Sequence, residues 1–157
     1  MTHFHKLSLF LLRVTMGWMF LYAGITHLLD PNFSAGGYLA GAKTFVGFYH
    51  WLATPGILPI VNFVNVWGLT LLGVSLILGI GIRLSGKLGA LLMILYWLPL
   101  GIIHPDAHSL IVDDHIIYAT GLLVLAYHNA GRAFGLQHWF SGLSICSKYP
   151  RLRDLLG

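Results

Sequence analysis

The sequence predicts an all-α fold, a four-span transmembrane helix bundle with both termini cytoplasmic and a short interfacial helix in the first external loop. Three observations predict it. The chain of 157 residues is 57% hydrophobic and only 9% charged, with a mean hydropathy of +0.77; a soluble domain carries about 25% charged residues. Four apolar stretches, at about 7–29, 58–82, 86–103 and 110–128, come near the roughly 20 residues that cross the hydrocarbon core of a bilayer. The charges are segregated. Lys6, Arg83, Lys87, Arg132, Lys148, Arg151 and Arg153 belong to the N-terminus, the middle turn and the tail, whereas Asp30, Asp106, Asp113 and Asp114 belong to the other two connections, whose one basic residue is Lys43. The excess of Lys and Arg on one side marks that side as cytoplasmic.

The first span, Leu7 to Leu29, organises the rest. Arg13, Gly17, Phe20, Gly24 and His27 recur at spacings of 4, 3, 4 and 3, which places them on one stripe of a helix. Two glycines between two polar groups invite a second helix to approach closely. A cleaved signal peptide would have an apolar region of about 7–15 residues. This stretch is longer and contains Arg13, so it reads as a retained span. Asp30-Pro31 ends it, because the residue before proline resists helical geometry.

Residues 33–56 hold five glycines, Lys43, His50 and the aromatics Phe45, Phe48, Tyr49 and Trp51. They read as an external loop with one helix at the headgroup level, where aromatic rings are favoured. In the second span Asn65, Gly68, Ser75 and Gly79 form another stripe of small and polar residues. Arg83 to Lys87 is a basic turn. Pro99 kinks the end of the third span. A polar loop containing His104, Asp106 and His108 leads to the fourth span, which ends near Gly131.

The whole chain, 1–157, reads as one membrane domain. The net charge of +4 is spread over span ends rather than gathered in a patch, which argues against nucleic acid as a partner. A single cysteine, Cys146, excludes an intrachain disulfide and a Cys-x-x-Cys redox pair.

Candidate chemistry lies on the outer rim. Five of the nine histidines and four of the five acids fall there. His27 and His115 stand out because each sits at the edge of an apolar span beside an acid, Asp30 or Asp114. Ionisable groups are costly at such positions and mark functional sites, and histidine exchanges protons near neutral pH. The four are the candidate catalytic residues. Arg13 has no acid within any span; it either snorkels to the inner headgroups or donates to a buried carbonyl, quinone or anion. Tyr118, one turn inside His115, is a second candidate donor to a cofactor. A metal or haem stays open: His104 and His108 are four residues apart, although Pro105 disfavours a helix there, and His27 and His115 could face each other as axial haem ligands. No histidine-rich ligand motif points to a metal site.

Three segments carry a family resemblance: LLRVTMGWMFLYAGITHLLDPNFSAGGYL, VNVWGLTLLGVSLILGIGIRLSGKLGALLM and DDHIIYATGLLVLAYHNAGRAFGL. Together they make residues 7–140 resemble the DoxX/DoxD membrane proteins. The chain departs from that pattern at Val66, where many relatives have an acid, at His27, where they tend to have Lys, and at Gln137, where they have Asp. The resemblance implies a four-helix membrane bundle in the cytoplasmic membrane of a prokaryote. It implies a subunit of a quinone-linked oxidoreductase of the thiosulfate:quinone type, working with other membrane or membrane-associated redox subunits. Under that reading His115 and Tyr118 donate to a quinone carbonyl, His27 and Asp30 handle protons, and Lys43 attracts an anionic substrate. The alternative is a non-catalytic accessory subunit of a larger respiratory or oxygenase complex.

Overall fold

The computed structural model describes residues 2–103 and 110–142, and these are helical apart from short connections. The first helix, α1, runs His3–Leu29; Thr2 caps it by accepting a hydrogen bond from the His5 amide. Two short helices follow, α2 (Gly36–Ala40) and α3 (Val46–Leu52). Then come α4 (Leu58–Leu78), α5 (Ile82–Trp97) with a 3₁₀ turn over Leu98–Leu100, α6 (Asp114–Tyr127) and α7 (Gln137–Ser141).

Three segments are long and apolar enough to cross a membrane: α1, α4, and α5 with its 3₁₀ turn. The fourth apolar helix, α6, is shorter than the sequence predicts. It begins at Asp114, next to the later of the two starts the sequence allows, Leu110 or His115, because Asp113 caps it there with Oδ1 accepting from the Ile116 amide. At 14 residues it extends about 21 Å. The first loop holds two short helices where one was expected.

The helices pack as two close antiparallel pairs. In the first, α1 lies on α4: Gly17 meets Leu76, Leu21 meets Gly73, and Gly24 meets Thr70. A Cβ at Gly24 would sit 2.5 Å from the Thr70 amide nitrogen. Arg13, Gly17, Phe20 and Gly24 are all buried, so the predicted stripe is the contact face. In the second pair α5 lies on α6, where a Cβ at Gly86 would meet the Leu122 carbonyl oxygen at 2.8 Å. Leu72, Leu76, Ile82, Leu122 and Leu125 join the pairs in one core.

The seam between α4 and α5 is sparser. Ser75 bonds Ser85 at 2.7 Å, Leu72 reaches Gly89, and Gly68 stands 3.9 Å from Leu92. Gly68 therefore does not serve the close approach its stripe suggests. Gly79 does meet another segment closely: a Cβ there would lie 2.8 Å from the Cα of Gly135 in the turn after α6, and closer still to the Arg13 guanidinium. Gly79 also caps α4 in the left-handed region at φ 72, a conformation glycine adopts without cost.

Two clamps hold the helix ends, one where α4 finishes, called inner after the sequence expectation, and one where α5 finishes, called outer. At the inner end the last four carbonyls of α4 lack helical partners. Ser75 O accepts from the Gly79 and Ile80 amides and Leu78 O from the Leu136 amide. Leu76 O and Ile77 O accept from Arg13 Nη1 at 2.8 and 3.2 Å. Arg13 Nη2 donates to Ala133 O and Phe134 O at 3.3 and 3.4 Å. Arg13 is thus a fully buried tie between α1, the end of α4 and the turn after α6, not a snorkelling side chain. Phe134 holds a left-handed φ of 52, costly for a bulky residue, while offering its carbonyl to Arg13.

At the outer end, Pro99 has no amide hydrogen to give the Leu95 carbonyl in helical register, or the Tyr96 carbonyl in 3₁₀ register. The first loop supplies the donors. Tyr49 Oη donates to Leu95 O at 2.9 Å, Tyr38 Oη to Tyr96 O, Thr44 Oγ1 to Leu98 O, and the Lys43 amide to Pro99 O at 2.7 Å. Pro99 therefore anchors α2 and α3 onto α5 instead of leaving them a free loop.

Candidate functional site

The outer end of α6 carries a histidine–carboxylate pair. Asp113 Oδ1 caps the helix, and its Oδ2 accepts from His115 Nδ1 at 2.7 Å. One carboxylate thus fixes both the helix start and the ring. A neutral imidazole that donates from Nδ1 has Nε2 free to accept a proton. The partner is Asp113, not the adjacent Asp114, which is exposed in the first helical turn. The signal for Asp113 was present in the sequence as an N-cap residue three positions before Ile116, where a cap carboxylate reaches the backbone.

His115 packs edge-on against Tyr96 of α5, ring centroids 5.8 Å apart. Tyr96 Oη is buried and finds no hydrogen-bond partner among the described residues; Asn65 Oδ1 on α4 is in the same state, and Asn65 is the polar neighbour of that hydroxyl. Tyr38 closes the cluster edge-on against Tyr96, with centroids 6.4 Å apart. Burial first, and then the negative charge of Asp113, push the Tyr38 phenol up to about 12. Burial also raises the Tyr49 phenol. Asn65, Tyr96, His115 and Asp113 thus meet where α4, α5 and α6 end. Sequence reasoning had Asn65 as a packing residue and gave Tyr96 no role, because nothing in the chain announces that residues 65, 96 and 115 share a level.

The other expected residues lie elsewhere. His27 stacks on Phe33 at 4.1 Å and shares a shallow groove with Asp30 and the start of α4. His27 and Asp30 thus belong to the seam between α1 and α4, while His115 belongs to the seam between α5 and α6. Tyr118 packs edge-on against Phe20 and joins the core. Both terminal nitrogens of Arg13 donate to backbone carbonyls, while its buried Nε has no hydrogen-bond partner among the described residues. His50 Nε2 pairs with Ala40 O at 3.0 Å within the loop. His104, Asp106 and His108 lie outside the described residues; among the described residues no three His, Cys, Asp or Glu side chains gather as a metal site.

Beside the α4–α5 seam runs an apolar groove of about 560 Å³, from Val64 and Leu95 near the outer end to Ser85 and Phe140 near the inner end. Among the described residues no ionisable side chain lines it. Phe63, Leu71, Leu88, Leu91 and Leu123 are exposed on the outside of the helices, as lipid contact requires.

Long apolar helices, glycine-mediated packing and buried backbone clamps define a multi-pass integral membrane protein. A model of the DoxX family matches residues 8–104, more than half of the chain, and the chain belongs to that family. No curated protein and no solved structure matches it.

Proposed function

We propose that this DoxX protein is the membrane subunit of a quinone-linked oxidoreductase of the prokaryotic cytoplasmic membrane, fed by a sulfur donor at the outer face. One observation supports this reading: the Asp113–His115 pair stands beside the Tyr96 ring, whose buried hydroxyl has only the Asn65 side chain as a polar neighbour and makes no well-formed hydrogen bond to it. A quinone carbonyl placed there would accept from the Tyr96 hydroxyl in place of the poorly aligned Asn65, and the apolar groove nearby suits an isoprenoid chain. Two electrons from the donor and two protons convert the quinone to quinol. His115 would deliver a proton from Nε2 to a quinone oxygen and regain it from the outer aqueous phase, while Asp113 stabilises the charged ring. The proton role expected of His27 and Asp30 falls here to His115 and Asp113, and the donor role expected of Tyr118 falls to Tyr96.

The test is quinone reduction by the purified full chain in lipid nanodiscs with thiosulfate and related sulfur donors. His115→Ala should lower turnover by about 100-fold or more, the scale of a lost general acid–base group, while melting like wild type. His50→Ala should leave turnover within about twofold, since no acid–base role is lost. Full activity in His115→Ala, or no quinone reduction with any donor, would instead favour an accessory subunit of a larger complex.

The same reading has α6 crossing as a fourth, short span, with both termini cytoplasmic. Two observations support it: the lysine and arginine distribution, and the reach of Arg13 from α1 to the turn after α6. A reporter fused after Gly157 should be active in the cytoplasm; activity confined to the periplasm would overturn the topology.

A further inference from the structure

The groove between the outer end of α1 and the start of α4 has a chemistry of its own. It holds about 240 Å³, equivalent to about eight waters at roughly 30 Å³ each. Three aromatic rings line it: Phe33, Phe63 and Trp67. Phe63 and Trp67 pack together with centroids 6.2 Å apart, and both remain exposed in part. Among the described residues the one carboxylate lining the groove is Asp30, and no Lys or Arg lines it. Asp30 Oδ1 accepts from the Asn32 amide at 2.9 Å, and no Lys or Arg pairs with the carboxylate among the described residues. His27, the remaining ionisable residue, lies face to face with Phe33.

Aromatic faces attract cations through their ring quadrupoles, tryptophan most strongly. An exposed carboxylate beside three rings, with no Lys or Arg among the described lining residues and His27 engaged face to face with Phe33, therefore favours positive charge over negative. A bare metal ion fits poorly, since one carboxylate and an amide give too few oxygen ligands for a hard cation. The groove also lies at the junction of span and loop, the depth at which lipid headgroups sit. We propose that it binds an organic ammonium group, with the charge on Asp30 and the alkyl part against Phe33, Phe63 and Trp67. This site is independent of the quinone reading, because it uses none of Asp113, His115, Tyr96 or Asn65.

The test is native mass spectrometry of the full chain released from detergent with phosphatidylethanolamine and phosphatidylglycerol of identical chains. The two lipids share the phosphate and differ in the ammonium. The ethanolamine lipid should be retained about fivefold over the glycerol lipid, the scale of an exposed cation–π contact. Asp30→Asn and Trp67→Leu should each bring the ratio to about one. Both positions are on the surface, and unchanged thermal melting would show that the variants fold. Added millimolar ethanolamine separates the sources: displacement of the lipid identifies a site for free ammonium compounds, and persistence of the lipid identifies the headgroup as occupant. Equal retention of the two lipids by wild type, or an unchanged ratio in Asp30→Asn, would overturn the proposal.

Discussion

Arg13→Met should unfold the inner end of the bundle, with a loss of about 4 kcal/mol in stability. Removing the guanidinium leaves Leu76 O, Ile77 O, Ala133 O and Phe134 O without the donor that reaches them now. Each orphaned buried acceptor costs about 1–3 kcal/mol, and relaxation of the turn recovers part of the sum. The four carbonyls sit at the negative end of α4 and in the turn after α6, so the charge of Arg13 is matched by backbone dipoles in place of a carboxylate. Methionine keeps the stem and makes α1 easier to insert, since an arginine in mid-span costs roughly 3 kcal/mol on translocon scales. The variant should therefore reach the membrane yet melt lower, by about 8–16 °C if 1 kcal/mol shifts a chain of this size by roughly 2–4 °C. Arg13→Lys should fall between the two, because one ammonium lacks the planar fork that serves two chain segments at once. A Tm for Arg13→Met within about 2 °C of wild type in detergent would remove the clamp.

Gly24→Leu should be comparably damaging, by about 3 kcal/mol or more, at the upper end of overpacking costs. The added side chain meets backbone: the Thr70 nitrogen at 2.5 Å and its Cα at 2.8 Å. Backbone cannot swing away as a flexible side chain can, so α1 must part from α4. The control is Gly68→Ala, where the new methyl has 3.9 Å to Leu92 Cδ2 and should cost less than about 1 kcal/mol, with a gain in helix propensity of the same order. Equal melting temperatures for the two variants would refute the packing assignment. The contrast follows from the clearance at each position, since both glycines sit on a small-residue stripe.

The tyrosine clamp and the Arg13 clamp solve the same problem at opposite ends. In water, an unpaired helix-end carbonyl is hydrated. In lipid it must find a protein donor. A chain with few charges uses what it has: one guanidinium within the core, and hydroxyls from the loop between α1 and α4. Because Tyr38 and Tyr49 anchor the loop to the end of α5, they also hold the surroundings of Tyr96 and His115 in place.

Much of this was written along the chain. Hydropathy and charge segregation mark the long helices, since the bilayer imposes length and apolarity locally. The stripe of Arg13, Gly17, Phe20 and Gly24 is a contact face because helical periodicity alone sets it. The cap at Asp113 is equally local. Two of the three motifs behind the family resemblance lie in residues 8–104, which the family model matches; the third, in residues 113–136, lies beyond them.

Tertiary structure decided what those faces meet. Arg13 finds its acceptors 63 and 120 residues away, at carbonyls, and backbone acceptors carry no signature in a sequence. His27 and His115 look equivalent on paper, each at a span edge beside an acid. The antiparallel packing of α1 on α4 and of α5 on α6 sends them to different seams, one into an aromatic groove and one beside Tyr96. Gly24 and Gly68 likewise share a pattern and differ in clearance, because the distance between two helices depends on every side chain along both. A periodicity specifies which residues share a face; only the assembled bundle fixes how near the opposing face comes and which of its groups are left unpaired.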